Sequence, residues 1–395
     1  MHHFSHRPCA LAASLLTLAG VLAGCGGGSS QGSDTASAPA APHAALIFTA
    51  PTEDDNVHNV NTPVPLRLSV TVAGAAPPDG MAITLGSSGN ASLVPVQPLT
   101  QGGMLTSTLS TAQAGTLELF AAPATAPQQP GARRTLYFRP QPQRLEVLVP
   151  AYFSPGAHWN RLARGLQSFP SVPVTAILNP SNGIFSTEDP SLTAAISAFR
   201  QGGGKVLGYV YTRYGKGSRT VADVQRNIDA YRRIYGAHVD GFFLDEMDAT
   251  GKQLGFYREV YQYIKRMDSR LRVVGNPGSY PVADFAGVAD ALVTFEGQAI
   301  AYQGRTPQPS NTWVYQRSNG AQAALVHDAT SCSAMQEVLR SANTPLRNTG
   351  LVYATDLHYD YPTNTGNPWA ALPSYWEQML GTVDAINNGL ALPAC

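Results

Sequence analysis

Charge is scarce in this 395-residue chain: only 13% of its residues are Asp, Glu, Lys or Arg, and 26 acidic residues balance 26 basic ones. Nucleic acid and acidic membrane surfaces are bound through basic patches, so neither is expected as the main partner. Cysteine is also rare, at four residues, and no closely spaced pair offers the thiolates of a metal site. The one pronounced apolar segment, LAASLLTLAGVLAG, is too short for a membrane-spanning helix. No glycine-rich phosphate turn opens a helix after a first strand, because Gln201-Gly202-Gly203-Gly204-Lys205 precedes a strand instead. No EF-hand spacing follows Asp245, Glu246 and Asp248, so these acids are not assigned to a metal. What remains is a chain with 44% hydrophobic residues, ample for a core, and with 37 Gly and 30 Pro gathered in particular places.

Those places divide the chain. Residues 1–24 begin with the basic MHHFSHRP and continue into the short apolar run, the order of a secretion signal. Leu22-Ala23-Gly24-Cys25 is similar to a bacterial lipobox, which implies cleavage before Cys25 and lipidation of its thiol. Gly26 follows, not Asp, which implies the outer membrane, with membrane contact through the anchor alone. The alternative is an ordinary signal peptide with an incidental cysteine. Residues 25–43 read as a flexible low-complexity tether. Residues 44–141 read as all-β, with strands at 45–49, 64–72, 81–85, 104–110, 116–121 and 134–138 separated by turns such as Pro77-Pro78-Asp79-Gly80. A small immunoglobulin-like sandwich is expected, serving as a spacer or as a carbohydrate-contact module, the spacer being favoured since no aromatic platform stands out. Cys332 and Cys395 form a candidate disulfide in an oxidising compartment; it would contribute about 4 kcal/mol in the loop-entropy model, two free thiols being the alternative.

From residue 142 to 395 the rhythm is strand, helix, strand, helix. Eight apolar runs recur: LEVLVPAY, VPVTAILN, KVLGYVYT, VDGFFLDE, RVVGN, ADALVTFE, AALVHDA and GLVYATD. Amphipathic stretches such as 190–201, 221–235 and 254–267 lie between them. Eight such units indicate a closed (β/α)8 TIM-like barrel, with an open doubly wound sheet as the alternative. A barrel builds its site at the C-terminal ends of its strands. Those ends carry Tyr152, Asn179, Tyr211 with Tyr214, Asp245 with Glu246, Asn276, Glu296, His327 and Asp356. Paired carboxylates suit glycoside hydrolysis, one protonating the leaving oxygen and another attacking the anomeric carbon or activating water. Tyrosines and Trp159 could stack on sugar faces, and Asn179 and Asn276 could hydrogen-bond hydroxyl or acetamido groups. Since successive strand residues point to opposite sides, one of Asp245 and Glu246 is expected to face the axis and the other to brace the mouth. Asp248 reads as a helix cap. His327 and His358 read equally well as polar lining or as satisfied structural groups.

Six ordered motifs, VPAYFSPGAHWNRL, ILNPSNG, GYVYTRYG, VDGFFLDE, GNPGSY and ADALVTFE, are similar to the spherulin-4 family. That family resembles glycoside hydrolase family 135 and is related to the family 114 polygalactosaminidases. The resemblance covers residues 145–302 strongly, the rest of the barrel weakly, and the first 140 residues not at all. It implies an endo-acting hydrolase of α-1,4-linked N-acetylgalactosamine or galactosamine polymers. No cofactor is expected, and the protein is expected to be a monomer. It places the essential carboxylates on Asp245, Glu246 and Glu296. Related α-glycoside barrels imply Asp245 as nucleophile and Glu296 as general acid/base, with Glu246 supporting charge or a substrate nitrogen. Ile184-Phe185 and Lys216-Gly217 depart from the family pattern at the outer subsites.

Overall fold

A computed structural model describes residues 44–128 and 131–395. The segments expected to be a signal peptide, a lipidation site at Cys25 and a tether therefore lie outside the described residues.

The N-terminal part holds eight strands: β1 (Ala44–Ala50), β2 (Val57–Asn59), β3 (Val64–Val72), β4 (Ile83–Ser87), β5 (Ser92–Val94), β6 (Met104–Ser110), β7 (Gly115–Pro123) and β8 (Ala132–Arg139). They form two four-stranded sheets, ordered β1-β3-β6-β5 and β2-β8-β7-β4. In β3, Val64, Leu66, Leu68 and Val70 are buried while Pro65 and Arg67 are exposed, the period-two pattern of a half-buried strand. Leu66 and Leu68 of one sheet share a core with Leu119 and Phe138 of the other, so the unit is a sandwich. β2 and β5, at three residues each, were not foreseen, since so short a strand carries no readable period.

The barrel strands are β9 (Glu146–Ala151), β10 (Val174–Leu178), β11 (Lys205–Tyr211), β12 (Gly241–Asp245), β13 (Arg272–Gly275), β14 (Ala291–Gln298), β15 (Gln322–His327) and β16 (Leu351–Ala354). All pair in parallel, and β16 returns to β9 to close the ring. Every residue of β10 and β16 is buried, as helices cover the outer face of a parallel barrel. The outer layer comprises α1 (Ala157–Ser168), α2 (Pro190–Gln201), α3 (Val221–Ile234), α4 (Leu254–Met267), α5 (Ala299–Gln303), α6 (Cys332–Asn343) and α7 (Trp376–Asn388). Helix starts are encoded locally. The Asp189 carboxylate accepts from the first-turn amides of α2 ahead of Pro190, and Thr220 with Asp223 forms a reciprocal capping box on α3.

The expectation of eight strand–helix units needs correction. β13 is followed only by a 3-10 turn, Ala283–Gly287, and β14 by the five-residue α5. The sandwich packs against this thinned flank. Val57 and Tyr137 bury against Val314 and Tyr315, the two tyrosine rings lying 5.1 Å apart. Buried Arg139 donates to Asn59 Oδ1 at 2.9 Å, Thr344 O at 3.3 Å and Asn348 Oδ1 at 3.4 Å. Asn56 and Gln308 exchange side-chain amide bonds at 3.0 and 2.8 Å. The segments gripped here lead into the N-terminal ends of β15 and β16, away from the mouth. A disulfide joins Cys332, at the start of α6, to Cys395, with Cα atoms 5.6 Å apart.

Candidate active site

At the C-terminal ends of the strands lies a cavity of about 420 Å³. Of the residues expected there, Tyr152, Asn179, Tyr211, Asp245, Glu246, Asn276 and Glu296 line it, together with Tyr209, Arg213 and Trp369. A larger cavity, about 680 Å³, opens at the opposite end of the barrel. Its charges satisfy one another, Arg272 with Glu146 at 2.8 Å and Lys205 with Asp240 at 3.8 Å, so it presents no reactive group.

Three strands converge on one hydrogen-bonded centre. β12 ends in Asp245, whose Oδ2 accepts from Tyr209 Oη at 2.6 Å and whose Oδ1 accepts from Asn276 Nδ2 at 2.8 Å. The same Asn276 nitrogen donates to Glu296 Oε2 at 2.6 Å. Asn276 follows β13 directly, and its side-chain oxygen Oδ1 accepts from Gly278 N at 3.0 Å, which fixes which way the amide faces. Glu296 reaches the cavity through a fault in the ladder. Between Val293 and Phe295 the register of β14 against β15 shifts, leaving Thr294 as an extra residue. A bulge of this kind changes which residues face the axis and re-aims the side chains that follow it.

Burial, followed by the charge of Asp245, raises the Glu296 carboxyl to about 7. Burial also raises the Asp245 carboxyl, but the Tyr209 and Asn276 hydrogen bonds work against that rise by favouring its ionised form. Two carboxyl groups a few ångströms apart thus differ in their surroundings: the Tyr209 hydroxyl donates to Asp245 alone, while the Asp245 charge adds to the burial that raises Glu296.

Glu246 departs from the expected alternation. Its φ is +52°, in the left-handed region, and this kink lets both Asp245 and Glu246 line the same cavity. Thr212 Oγ1 and Tyr214 N hold the Glu246 carbonyl at 2.8 and 2.7 Å, and Arg213 Nε stands 4.0 Å from its carboxylate. Burial and Asp245 raise the Glu246 carboxyl, while Arg213 lowers it. Ser181, Asn182 and Arg213, also at the cavity, share positive φ. Strain of this sort, about 1–3 kcal/mol per residue, collects where the surrounding structure holds a site in shape. Gly183 completes the turn of Ser181 and Asn182, with φ +74°, where a Cβ would stand 2.3 Å from the Tyr209 carbonyl oxygen.

Other expected residues sit elsewhere. Trp159 is 1% exposed, its indole donating to Phe153 O at 3.3 Å and its ring packing on Phe199, so it belongs to the barrel wall and not to a sugar platform. It shares an inward stripe of α1 with Leu162 and Leu166. His327 is buried at 1% exposure, its Nδ1 paired with Asp328 and its Nε2 3.0 Å from Tyr361 Oη, and it does not reach the cavity. Asp356 accepts from Ser374 N at 3.2 Å and braces the approach to α7. Tyr214 is half-buried beside the carboxylates, outside the lining; burial and the nearby Glu246, Asp245 and Glu296 charges push its phenol up to about 12. Asp248 turns from the acids to accept from Thr250 Oγ1 at 2.9 Å and Gln253 N at 3.2 Å; it braces the loop before α4 and is not the helix cap expected of it, since α4 begins after Gln253 with no side chain on its first-turn amides. Among the described residues no cluster of His, Cys, Asp and Glu is arranged to hold a metal ion.

Tyr209, Arg213 and Trp369 were not anticipated. Tyr209 was within reach, since it stands two residues before Tyr211 and so on the same strand face. Trp369 lies in the long connection after β16, where no period marks it.

Comparison with known proteins places the barrel. The chain is 29% identical over 252 residues to spherulin-4 of Physarum polycephalum, covering 62% of this chain and 71% of that protein. It is similar in structure to Aspergillus clavatus Sph3, solved in complex with GalNAc, at 22% identity and a TM-score of 0.49 over 61% of this chain and 98% of the other. It is also similar to a cyclic α-maltosyl-(1→6)-maltose hydrolase of Arthrobacter globiformis, at 12% identity and a TM-score of 0.42 over 62% and 82% of the two chains. Residues 146–383, from the first barrel strand well into α7, match Spherulin4, the spherulation-specific family 4, and the chain belongs to that family.

Proposed function

We propose that the protein is an endo-acting glycoside hydrolase cleaving α-1,4-linked N-acetylgalactosamine or galactosamine polymers, with Asp245 as nucleophile and Glu296 as general acid/base. The observation that carries this reading is the single Asn276 amide hydrogen-bonded to both carboxylates. Because the two bonds of 2.8 and 2.6 Å share one nitrogen, these oxygens are no farther apart than both lengths end to end, about 5.4 Å. That spacing supports a double displacement with retention, since inversion needs about 6.5–9.5 Å to admit a water.

In the first step the protonated Glu296 gives its proton to the glycosidic oxygen as the C1–O bond breaks, and an Asp245 oxygen bonds to C1. In the second, Glu296 takes a proton from water, whose oxygen attacks C1 and frees Asp245. A Glu296 carboxyl raised to about 7 keeps its proton in about half of the molecules at neutral pH and in more below it, while the Tyr209 and Asn276 hydrogen bonds favour the ionised form of Asp245 and aim it. Glu246 supplies a further negative charge at the cavity wall, suited to an oxocarbenium-like transition state or a substrate ammonium group.

The substrate class follows the family resemblance. Anchoring by a lipidated Cys25 at the outer membrane rests on the sequence of residues 1–26. Purified protein should shorten such polymers, and Asp245→Asn or Glu296→Gln should abolish this with circular dichroism unchanged. Turnover like the native protein's in both variants would refute the mechanism. Tight polymer binding without product release would point instead to a polysaccharide-retaining surface protein.

A further inference from the structure

One structured feature beside the mouth has no part in the carboxylate chemistry. After β16 the chain forms a small hairpin of β17 (Tyr359–Asp360) and β18 (Thr365–Gly366). At its turn Tyr361 is 51% exposed although it is a large aromatic residue. Its hydroxyl meets His327 Nε2 at 3.0 Å, and His327 is itself almost wholly buried. On its other side His327 Nδ1 is paired with Asp328, whose second oxygen is held by His358 Nδ1. Asp328 adopts φ +57°, a conformation held by its amide bond to Leu357 O at 3.1 Å. The Tyr359 ring stands nearly perpendicular to Tyr361 at 4.9 Å, and Trp369, which lines the cavity, meets His327 edge-on at 6.1 Å. A buried histidine, a strained aspartate and a second histidine thus join in a chain that ends on one exposed phenol. A solvent-facing ring held this firmly is a contact surface in want of a ligand.

Its location fixes the kind of ligand. Tyr361 Oη lies 3.7 Å from where a Cβ on Gly297 would stand, next to Glu296. Glu296 is close enough for its charge to help raise the Tyr361 phenol. In the mechanism above, Glu296 protonates the leaving oxygen, so its side of the cavity receives the leaving portion of the polymer. We propose that Tyr361 is the platform of a leaving-group subsite, stacking on the pyranose ring directly beyond the cleaved bond, with His327 as its positioning residue. This rests on the assignment of Glu296 as the acid.

Tyr361→Ala and Tyr361→Phe test it, because the ring is at the surface and the Phe variant keeps the stacking face while losing the bond to His327. Two substrates are compared: an α-1,4-linked N-acetylgalactosamine oligomer, and a shorter oligomer whose leaving group is 4-nitrophenol and which carries no sugar beyond the bond. Tyr361→Ala should lower kcat/KM about tenfold on the oligomer and by less than about twofold on the aryl glycoside. Tyr361→Phe should fall between the native protein and Tyr361→Ala on the oligomer. An equal fall on both substrates, or no fall on either, overturns the proposal. Should the native protein cleave neither substrate, the hydrolase reading fails by itself, and calorimetric binding of the oligomer decides the subsite. Affinity about fivefold weaker in Tyr361→Ala supports the platform, and unchanged affinity refutes it.

Discussion

Replacing Asn276 by Ala removes an amide that touches both carboxylates proposed as nucleophile and acid, and the structure gives the direction of every consequence. The amide donates to Asp245 at 2.8 Å and to Glu296 at 2.6 Å. Both bonds favour the ionised carboxylate, so their loss favours protonation of each acid. A hydrogen bond to a charged group contributes about 1.5–3 kcal/mol, and about 1.4 kcal/mol corresponds to one pH unit. Repulsion between two carboxylates about 5 Å apart, at an effective dielectric near 20, is about 3 kcal/mol and also goes unrelieved. In kcat/KM the acid limb reports ionisation of the nucleophile, and the alkaline limb reports loss of the proton from the acid, which starts from about 7 in the native protein. Asn276→Ala should therefore move both limbs upward by about one pH unit each, the values belonging to the pair as a whole. At the native optimum kcat should fall about 100-fold as the carboxylates lose their common tether. The assay is kcat/KM against pH on a defined oligomer, with the unfolding transition measured alongside. Limbs that stay in place, or move down, would refute the bridging role of the amide.

Three stability predictions accompany this. Cys332→Ser opens the link to Cys395 and should lower unfolding free energy by about 4 kcal/mol in denaturant titration; a loss below about 1 kcal/mol would refute the loop-entropy account. Gly241→Ala places a Cβ 2.0 Å from the Arg272 carbonyl oxygen and 2.6 Å from its nitrogen, backbone atoms with little room to yield. It should destabilise the barrel by about 3 kcal/mol and reduce activity as well, since β12 carries Asp245. Arg139→Ala leaves Asn59 Oδ1 and Asn348 Oδ1 short of a donor and should cost about 2 kcal/mol, read as faster proteolysis between residues 139 and 146.

The sequence carried the barrel because its strands are apolar runs set between helical periods, and both patterns are local. Asp245, Glu296 and Asn276 were legible for the same reason, standing where such runs stop. What escaped notice depended on contacts between strands. The extra Thr294 that aims Glu296 is a mismatch between β14 and β15, invisible in either strand alone. The left-handed turn at Glu246 is held by Thr212 and Tyr214 from the neighbouring connection, so alternation failed where tertiary bonds overrode it. Trp159 was misplaced although its spacing to Leu162 and Leu166 marks the inner stripe of a helix. An aromatic side chain suits a sugar face and a core equally well, and burial decides for the core.

The seam between sandwich and barrel has a bearing on how such a protein can be cut. The family match starts at residue 146, which invites production of the barrel without its leader. Yet Val314 and Tyr315 of the barrel are fully buried, and part of what covers them is Val57 and Tyr137 of the sandwich. Cutting at the boundary of shared ancestry would strip that cover from the flank where the helical layer is thinnest, and would leave an apolar patch open to association. Ancestry and packing thus draw their borders at different residues, and a fragment that keeps this cover has to include β2 and β8 of the sandwich.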